Sequence, residues 1–358
     1  MILIATDKFK GTLTAAQATY IIRDAITSLC HDEEIMAIPV ADGGEGTAEV
    51  IASTLGLTRR DIAGCNAVGK PVKAEYFSDG CGKVALDAAT VLGLTLVDEA
   101  DRDVMHATSA PLGNLLREII SREHPREIYL GIGGTATSDG GAGMLQALGA
   151  TFSGIDGEVT PATLPSVTSV DMSTMIELPV MHLLCDVDVP LAADEGLPSA
   201  MTFAPQKGLR PDDAPALRAA LSHWSELTGC NAPFSGAGGG LISGLMSRYA
   251  PEYGADTVLA LVGVDNLFPD VVITGEGCVD EQSIMGKIAG RIAAYARRKG
   301  ARSIAIGGMV KPSAALSATF DAVYSTLTTP APTPSLRLHL TALQVAEDMK
   351  WRDESRVL

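Results

Sequence analysis

The residues best suited to chemistry lie in a glycine-rich loop that follows an apolar run near the middle of the chain. The run 128–131 leads into Gly133, Gly134, two threonines, a serine and Asp139, and further glycines follow. Glycine N–H groups can approach an anion closely because no Cβ intervenes, and the helix predicted over 140–148 would direct its positive end there. Such a loop after a buried strand is a common ligand site in α/β proteins. The alternative is a turn whose glycines serve only strand–helix packing.

Three further apolar runs also end in glycine-rich loops, and two of these loops carry carboxylates. The loops after 35–40, 270–273 and 303–306 contain, in chain order, Asp42, Gly43, Gly44 and Glu45; Gly275, Glu276 and Gly277; and Gly307 and Gly308. If the four strands are parallel neighbours, all four loops meet at one edge of one sheet. Glycines and carboxylates in one place suit a nucleotide held with a divalent metal.

The charge balance makes the few lysines beside glycines informative. With 27 bases against 43 acids, the formal net charge is −16, so nucleic acid and anionic membranes are poor candidate partners. A protein this acidic must concentrate positive charge locally to hold an anion. Lys10, Lys207 and Lys287 each stand next to a glycine. The alternative for each of them is a solvated surface position.

Cysteine usage and the N-terminus bear on the compartment. The six cysteines include no C-x-x-C pair, so we expect reduced thiols and no zinc site. The chain opens on an apolar strand without a secretory leader pattern, and no apolar run approaches the ~18 residues that a membrane span needs. We therefore expect a cytoplasmic protein.

Two acids, Asp186 and Asp188, follow another apolar run at 180–184. Their spacing at a strand end directs both side chains to the same side. This arrangement suits a metal ligand or a general base. The alternative is an Asx turn before Pro190.

Two generic nucleotide-binding motifs are absent or weak. The sequence before Lys287 lacks the glycine spacing of a Walker A motif, which excludes a P-loop. The G-x-G-x-x-A pattern that begins at Gly131 matches the dinucleotide fingerprint, but further glycines and Asp139 interrupt the helix that should follow it. An NAD enzyme is therefore a weak alternative.

Strand and helix patterns divide the chain into two parts. Apolar runs alternate with amphipathic helical patterns at both ends of the chain, which predicts parallel βαβ units. Short runs at 59–64, 72–77 and 83–87, separated by glycine-containing turns, predict hairpins in the middle. We therefore expect an α/β protein in which residues 1–60 and 255–358 form one discontinuous domain and residues 61–254 form an inserted domain.

Six segments, spread in order over nearly the whole chain, resemble the bacterial glycerate kinase family (type 1). They are D-x-F-K-G from Asp7, A-D-G-G-E-G-T from Ala41, G-I-G-G-T-A-T-S-D-G-G from Gly131, C-D-V-D from Cys185, P-Q-K-G from Pro205, and T-G-E-G from Thr274 with Gly286-Lys287. The resemblance implies a Rossmann-like parallel-sheet domain with a second α/β domain inserted. It also implies an ATP-dependent kinase that phosphorylates D-glycerate, most often to 2-phosphoglycerate. Four residues depart from those usual in the family and bear on substrate fine-tuning: Lys8, Val189, Glu281 and Ser283.

Phosphoryl transfer needs a positioned hydroxyl group and cations that neutralise the developing charge. Our hypothesis is that Lys207 and Lys287 supply catalytic positive charge and that Asp186 or Asp188 accepts the proton of the substrate hydroxyl. The expected ligands of Mg²⁺, directly or through water, are Asp42, Glu45, Asp139 and Glu276. The expected contacts to substrate and phosphate are Asp7, Lys10, Gly43, Gly44, Gly133, Gly134, Thr135, Thr137, Gly275, Gly277 and Asp280. Asp139 has a second interpretation, as the N-cap of the helix that follows it.

The expected cofactors are ATP and Mg²⁺, and the expected partner is the small molecule D-glycerate. A homodimer is left open. A metal-dependent phosphatase and a non-catalytic binding protein for small acids are the alternatives from other classes.

Overall fold

The computed structural model describes residues 1–284 and 287–354, the last five of them by their backbone alone. The chain forms two compact units, Met1–Asp42 with Ala255–Leu358 and Gly43–Gly254. Both contain helices and a sheet that is wholly or mostly parallel, so the expected α/β class is confirmed. Within the described residues, no helix is both long enough and apolar enough to cross a membrane.

The secondary-structure elements are numbered in chain order. The strands are β1 (Ile2–Thr6), β2 (Ile35–Pro39), β3 (Thr58–Cys65), β4 (Pro71–Ser78), β5 (Lys83–Asp87), β6 (Glu127–Gly131), β7 (Thr151–Ser153), β8 (Ser169–Asp171), β9 (Val180–Cys185), β10 (Pro251–Tyr253), β11 (Val271–Val279), β12 (Arg302–Val310) and β13 (Ala322–Ser325). The α-helices are α1 (Ala15–Leu29), α2 (Thr47–Leu55), α3 (Ala89–Leu92), α4 (Ala110–Glu123), α5 (Ala142–Ala147), α6 (Ala214–Thr228), α7 (Gly254–Leu261), α8 (Glu281–Ile284), α9 (Ile288–Lys299), α10 (Ala314–Thr319) and α11 (Pro334–Glu354).

The first unit is built on a five-stranded sheet in the order β13-β12-β11-β1-β2, and every pair in it is parallel. All five residues of β1 are buried, as expected for a strand at the centre of a covered sheet. Helix α1 begins after Thr14. The Thr14 side chain accepts a hydrogen bond from Gln17 N–H, and the Gln17 side chain accepts one from Thr14 N–H. This capping box satisfies two N–H groups that the helix leaves unpaired.

The second unit contains a six-stranded sheet in the order β10-β9-β6-β5-β4-β3. Strands β10, β9, β6 and β5 pair in parallel, whereas β5, β4 and β3 form an antiparallel meander. The predicted runs 59–64, 72–77 and 83–87 correspond to this meander. Strands β7 and β8 form a separate antiparallel ribbon.

Two expectations about organisation differ from the structure. The glycine loops do not share one sheet, because β2, β11 and β12 lie in the first sheet and β6 in the second. The chain divides after Asp42 instead of after residue 60. Residues 43–57 belong to the second unit because α2 packs on β4, β5 and β6, and Asp87 accepts hydrogen bonds from the N–H groups of Gly46 and Ala48.

The glycine run at 236–240 predicts a helix to about Arg248 whose N-terminus could bind an anion, but short 3-10 turns occupy that segment. Three consecutive glycines there, 238–240, have positive φ, which a right-handed helix does not allow. An anion site at the N-terminus of that helix is therefore wrong.

Candidate active site

Three carboxylates of the first unit form an acidic cluster at the carboxyl ends of neighbouring strands: Asp7 after β1, Asp42 after β2 and Glu276 within β11. Asp7 and Glu276 are only 6% and 8% exposed. Burial and the negative charges of Asp42 and Glu276 together raise the pKa of Asp7 to about 8, against the charge and the backbone N–H of Lys8. Burial likewise raises the pKa of Glu276, against a hydrogen bond from Ser283 and the charge of Lys287. The charged forms of these carboxylates therefore destabilise one another.

The acidic cluster is chemically suited to Mg²⁺. Within the described residues, the buried Glu276 Oε1 and the neighbouring Thr274 Oγ1 have no hydrogen-bond partner, and such atoms normally find one. No group of three or more Asp, Glu, His or Cys side chains in the described part of the chain has the arrangement of a metal site. Mg²⁺ commonly uses only one or two carboxylates and completes its shell with phosphate and water. Asp42 and Glu276 fit that mode.

The glycines of the first unit have a packing role that is visible in the structure. A Cβ atom on Gly277 would lie 2.9 Å from the backbone nitrogen of Lys10, and one on Gly275 would lie 2.7 Å from the carbonyl oxygen of Ile306. These two glycines therefore allow the loop after β1 and strand β12 to approach β11 closely. Lys10 itself is exposed.

Asp280 and Lys287 both stand at helix starts. The Asp280 carboxylate accepts a hydrogen bond from Gln282 N–H at the beginning of α8 and forms an ion pair with Lys311 at 3.2 Å. Lys287 is the N-cap residue of α9, where its positive charge opposes the helix dipole. Gly286, which precedes it in the motif, lies outside the described residues.

In the second unit, the loop after β6 is organised by the buried carboxylate of Asp139. Its Oδ2 accepts hydrogen bonds from Ser109 N–H and Oγ–H, both at 2.7 Å, and from Gly143 N–H at 3.2 Å, while Oδ1 accepts one from Gly141 N–H at 3.0 Å. Burial raises the pKa of Asp139, and these hydrogen bonds act in the opposite direction. The carboxylate therefore binds N–H groups near the start of α5, but the N-cap residue of that helix is Gly141 and not Asp139. The metal role of Asp139 stays a prediction.

Lys207 is a buried cation beside this loop, with only 3% of the residue exposed. Its Nζ donates a hydrogen bond of 2.6 Å to the carbonyl oxygen of Thr137. Burial lowers the pKa of Lys207 to about 8, and the negative charges of Asp139 and Asp186 oppose that shift. Within the described residues, the buried hydroxyls of Thr137 and Ser138 have no partner. A lysine and two hydroxyls without partners are groups that can bind an anion.

The glycines near Asp186 lie too close to their neighbours to be replaced by a residue with a Cβ atom. A Cβ atom on Gly133 would lie 2.6 Å from Asp186 Oδ2, and one on Gly43 would lie 2.7 Å from the carbonyl carbon of Cys185. The Gly43 carbonyl oxygen accepts hydrogen bonds from the N–H groups of both Ile132 and Gly133. The loops after β6 and β9 therefore meet at Gly43, which brings three predicted site residues together.

The remaining predicted residues of the second unit are placed as follows. Gly44 accepts a hydrogen bond from the Thr47 hydroxyl, and Gly134 adopts a φ of +81°. The Thr135 hydroxyl donates to the carbonyl oxygen of Gly238. Glu45 is exposed. Asp188 is exposed and accepts a hydrogen bond from the Tyr253 hydroxyl.

Sequence reasoning missed Ser109 and Tyr253, which hold two of the predicted carboxylates. Each lies far along the chain from its partner, Ser109 by 30 residues and Tyr253 by 65. Neither stands in a glycine-rich loop or a recognisable motif. Strand pairing places Tyr253 near Asp188, and Ser109 is the N-cap residue of α4, so the sequence did not show that either residue contacts a predicted carboxylate.

Comparison with known proteins assigns this arrangement to a family. The model of the glycerate kinase family matches residues 2–347. The chain belongs to the glycerate kinase family. Glycerate 2-kinase of Escherichia coli (strain K12) is 33% identical over 348 residues, which cover 91% of this chain and 90% of that protein. Glycerate kinase of Halalkalibacterium halodurans is 34% identical over 325 residues, covering 86% and 85%.

A solved structure supports the same assignment. The crystal structure of a protein from Salmonella typhimurium LT2, described as a glycerate kinase 2, superimposes with a TM-score of 0.79 over 98% of both chains at 29% identity. This glycerate kinase family member is therefore a phosphotransferase, and its small-molecule substrate class is glycerate. A phosphotransferase must neutralise phosphate charge, and the second unit contains a buried lysine, Lys207.

Proposed function

We propose that the protein transfers the γ-phosphoryl group of ATP to D-glycerate and forms 2-phosphoglycerate in the cytoplasm. The observation that carries the proposal is the buried Lys207, whose ammonium group is held at Thr137 between the charges of Asp139 and Asp186. A buried cation beside hydroxyls without partners suits an anionic reactant far better than a neutral one. The name of the Escherichia coli relative, glycerate 2-kinase, supports the choice of product.

In this proposal a substrate hydroxyl oxygen bonds to the γ-phosphorus while the bond between that phosphorus and the oxygen of ADP breaks. The hydroxyl proton passes to Asp188 or Asp186, which stand at the end of β9. Lys207 and Lys287 neutralise charge that develops on the transferred group. Mg²⁺, when bound, would neutralise phosphate charge at Asp42 and Glu276.

The other predicted residues take binding roles in the same proposal. Lys10 supplies charge to a phosphate or to the glycerate carboxylate, and the backbone at Gly43 and Gly133 shapes the loops that carry Asp186. Thr137 contributes a hydroxyl that has no partner in the described structure. Glu45 remains a candidate for Mg²⁺, whereas the hydrogen bonds of the Asp139 carboxylate favour a structural role for it.

Phosphorus NMR of a reaction with ATP, Mg²⁺ and D-glycerate tests the proposal. We expect ADP to form together with a phosphoglycerate whose phosphorus couples to one methine proton, as in the 2-phosphate. Coupling to two methylene protons would identify the 3-phosphate and change the proposed product. Binding of glycerate without ADP formation would indicate a binding protein, and release of inorganic phosphate from phosphoglycerate alone would indicate a phosphatase. L-Glycerate is the matched control for stereochemistry.

A further inference from the structure

The carboxylate of Asp188 is held by an aromatic hydroxyl from another strand of the second unit. Tyr253 Oη donates a hydrogen bond of 2.6 Å to Asp188 Oδ2, a length typical of a charge-assisted O–H···O⁻ contact. Tyr253 is the last residue of β10 and pairs in register with Cys185 at the end of β9. Strand pairing therefore fixes the tyrosine next to the turn that carries Asp188.

Phe234 fixes both members of this pair. Its N–H donates a hydrogen bond of 3.0 Å to the Asp188 carbonyl oxygen, and its ring meets the Tyr253 ring edge to face, with centroids 4.7 Å apart and planes at 74°. Phe234 also has a φ of +70°. For a residue with a Cβ this conformation is strained, and such strain is often found at functional sites. The three residues hold one another through one side-chain bond, one main-chain bond and one ring contact.

We propose that Tyr253 is a positioning residue for phosphoryl transfer, acting through the Asp188 carboxylate, and that Phe234 holds the Tyr253 ring in place. The inference rests on the proposed function and selects Asp188 over Asp186 as the proton acceptor. The tyrosine engages Oδ2 and so sets the direction in which Oδ1 can receive the proton of the substrate hydroxyl. Since Asp188 is exposed, its carboxylate would otherwise sample several rotamers, and misplacement of a reacting group is costly for rate.

The first test compares Tyr253→Phe with Tyr249→Phe. Both changes remove one hydroxyl from the second unit, but Tyr249 Oη donates to the carbonyl oxygen of Leu178 at 3.2 Å. We expect Tyr253→Phe to lower kcat by about tenfold with KM for glycerate and ATP within about twofold. The melting temperature should stay near that of wild type because the lost bond is exposed. Tyr249→Phe should keep its kcat. A normal kcat in Tyr253→Phe, or an equal loss in both variants, would overturn the inference.

The second test is a double-mutant cycle with Asp188→Asn. If the tyrosine acts through Asp188, the double variant should be no slower than Asp188→Asn alone, because residues that act as a unit are not additive. Additive losses would show that Tyr253 acts elsewhere. If the wild type is active and Asp188→Asn turns over normally, Asp188 is not the proton acceptor and the inference is wrong. Absence of glycerate-dependent ADP formation in wild type would instead contradict the proposed function itself.

Discussion

Burial acts in opposite directions in the two units of this glycerate kinase family member. In the first unit burial, together with the neighbouring carboxylates of Asp42 and Glu276, raises the pKa of Asp7 to about 8. In the second unit it lowers the pKa of Lys207 to about 8, and the neighbouring carboxylates of Asp139 and Asp186 oppose the shift. Removing a charged group from water disfavours its charged form in both cases. Burial is the largest cause of both shifts, and the neighbouring carboxylates add to it around Asp7 but oppose it around Lys207.

The difference indicates what each region can bind. Like charges crowd one another in the acidic cluster, so a cation lowers its electrostatic energy. Opposite charges already surround Lys207, which keeps a buried ammonium group charged near neutral pH and able to meet an anion. One region therefore suits Mg²⁺ and the other suits a phosphate or a carboxylate. The variants below test that division, beginning with the largest expected effect.

Replacing Lys207 by methionine should have the largest effect. The variant removes a charge-assisted contact, which typically contributes about 1.5–3 kcal/mol, and kcat/KM should fall by roughly 10- to 150-fold if the contact acts in the transition state. Wild-type activity should also decline as pH rises through about 8, because Lys207 then loses its proton. Steady-state kinetics across pH measure both effects.

Lys73→Met is the matched control for that experiment. Lys73 is 72% exposed and forms an ion pair with Asp61 at 2.8 Å, and exposed pairs contribute little. Its kcat/KM should match that of wild type. Equal kinetics in the Lys207 and Lys73 variants would contradict the proposal that Lys207 binds an anion in the second unit.

Asp139→Asn should lower both stability and turnover. The three N–H groups and one hydroxyl that donate to this carboxylate leave no acceptor for an amide NH₂ group, so at least one buried donor loses its partner at a cost of about 1–3 kcal/mol. The variant also removes a negative charge that favours protonated Lys207. We expect a lower melting temperature, a lower kcat and an unchanged Mg²⁺ requirement. A raised Mg²⁺ requirement with unchanged melting would instead support the predicted metal role.

The fold was more predictable than the site. The apolar run of β1 and the meander at 58–87 follow from local patterns, and the structure contains both. The division of the chain after Asp42 was missed because it depends on Asp87, which binds the start of α2 from a distant strand.

Sequence motifs likewise did not show how the residues of the candidate site are packed. Motifs pointed to Lys207 and Asp139, yet nothing in them showed that both are buried side by side. Glycines such as Gly133 and Gly277 suggested anion binding, whereas the structure gives each a close neighbour that excludes a Cβ atom. Spacing along the chain cannot distinguish a glycine that faces a ligand from one that faces another loop.

Glu276→Gln tests whether the acidic cluster of the first unit binds Mg²⁺, and its expected effect is moderate. The change keeps the shape of the side chain and removes one charge from the acidic cluster, so the Mg²⁺ concentration needed for half-maximal activity should rise by about tenfold. The melting temperature measured without Mg²⁺ should not fall, because the variant also removes repulsion from Asp42. Glu34→Gln, at an exposed position of the same unit, should leave the Mg²⁺ requirement unchanged. Equal requirements in both variants would place the metal away from Glu276.

His182 offers the smallest and most specific test, because neighbours outweigh burial there. Its ring stacks on Tyr129, and its Nδ1 and Nε2 each lie 3.2 Å from a carboxylate oxygen, of Glu252 and of Glu127. Lys83 contacts Glu127 at 3.4 Å. The hydrogen bond with Glu252 raises the pKa of His182, burial lowers it, and the bond with Glu127 raises it again. The net direction is upward, since this side chain is still 29% exposed and burial is incomplete.

The sign of the pH effect on stability follows from that direction. The folded-state pKa of His182 lies above its unfolded value of about 6.5, so the stabilisation is complete below pH of about 6.5 and is lost as pH rises through the folded-state pKa. His182→Gln should therefore lower the melting temperature by about 2 °C more at pH 6 than at pH 8.5. His31→Gln, an exposed position, should show no such difference. An equal loss at both pH values would mean that the ring stabilises the sheet by packing alone. The carboxylates of Glu252 and Glu127 would then not raise the pKa of His182 above its unfolded value.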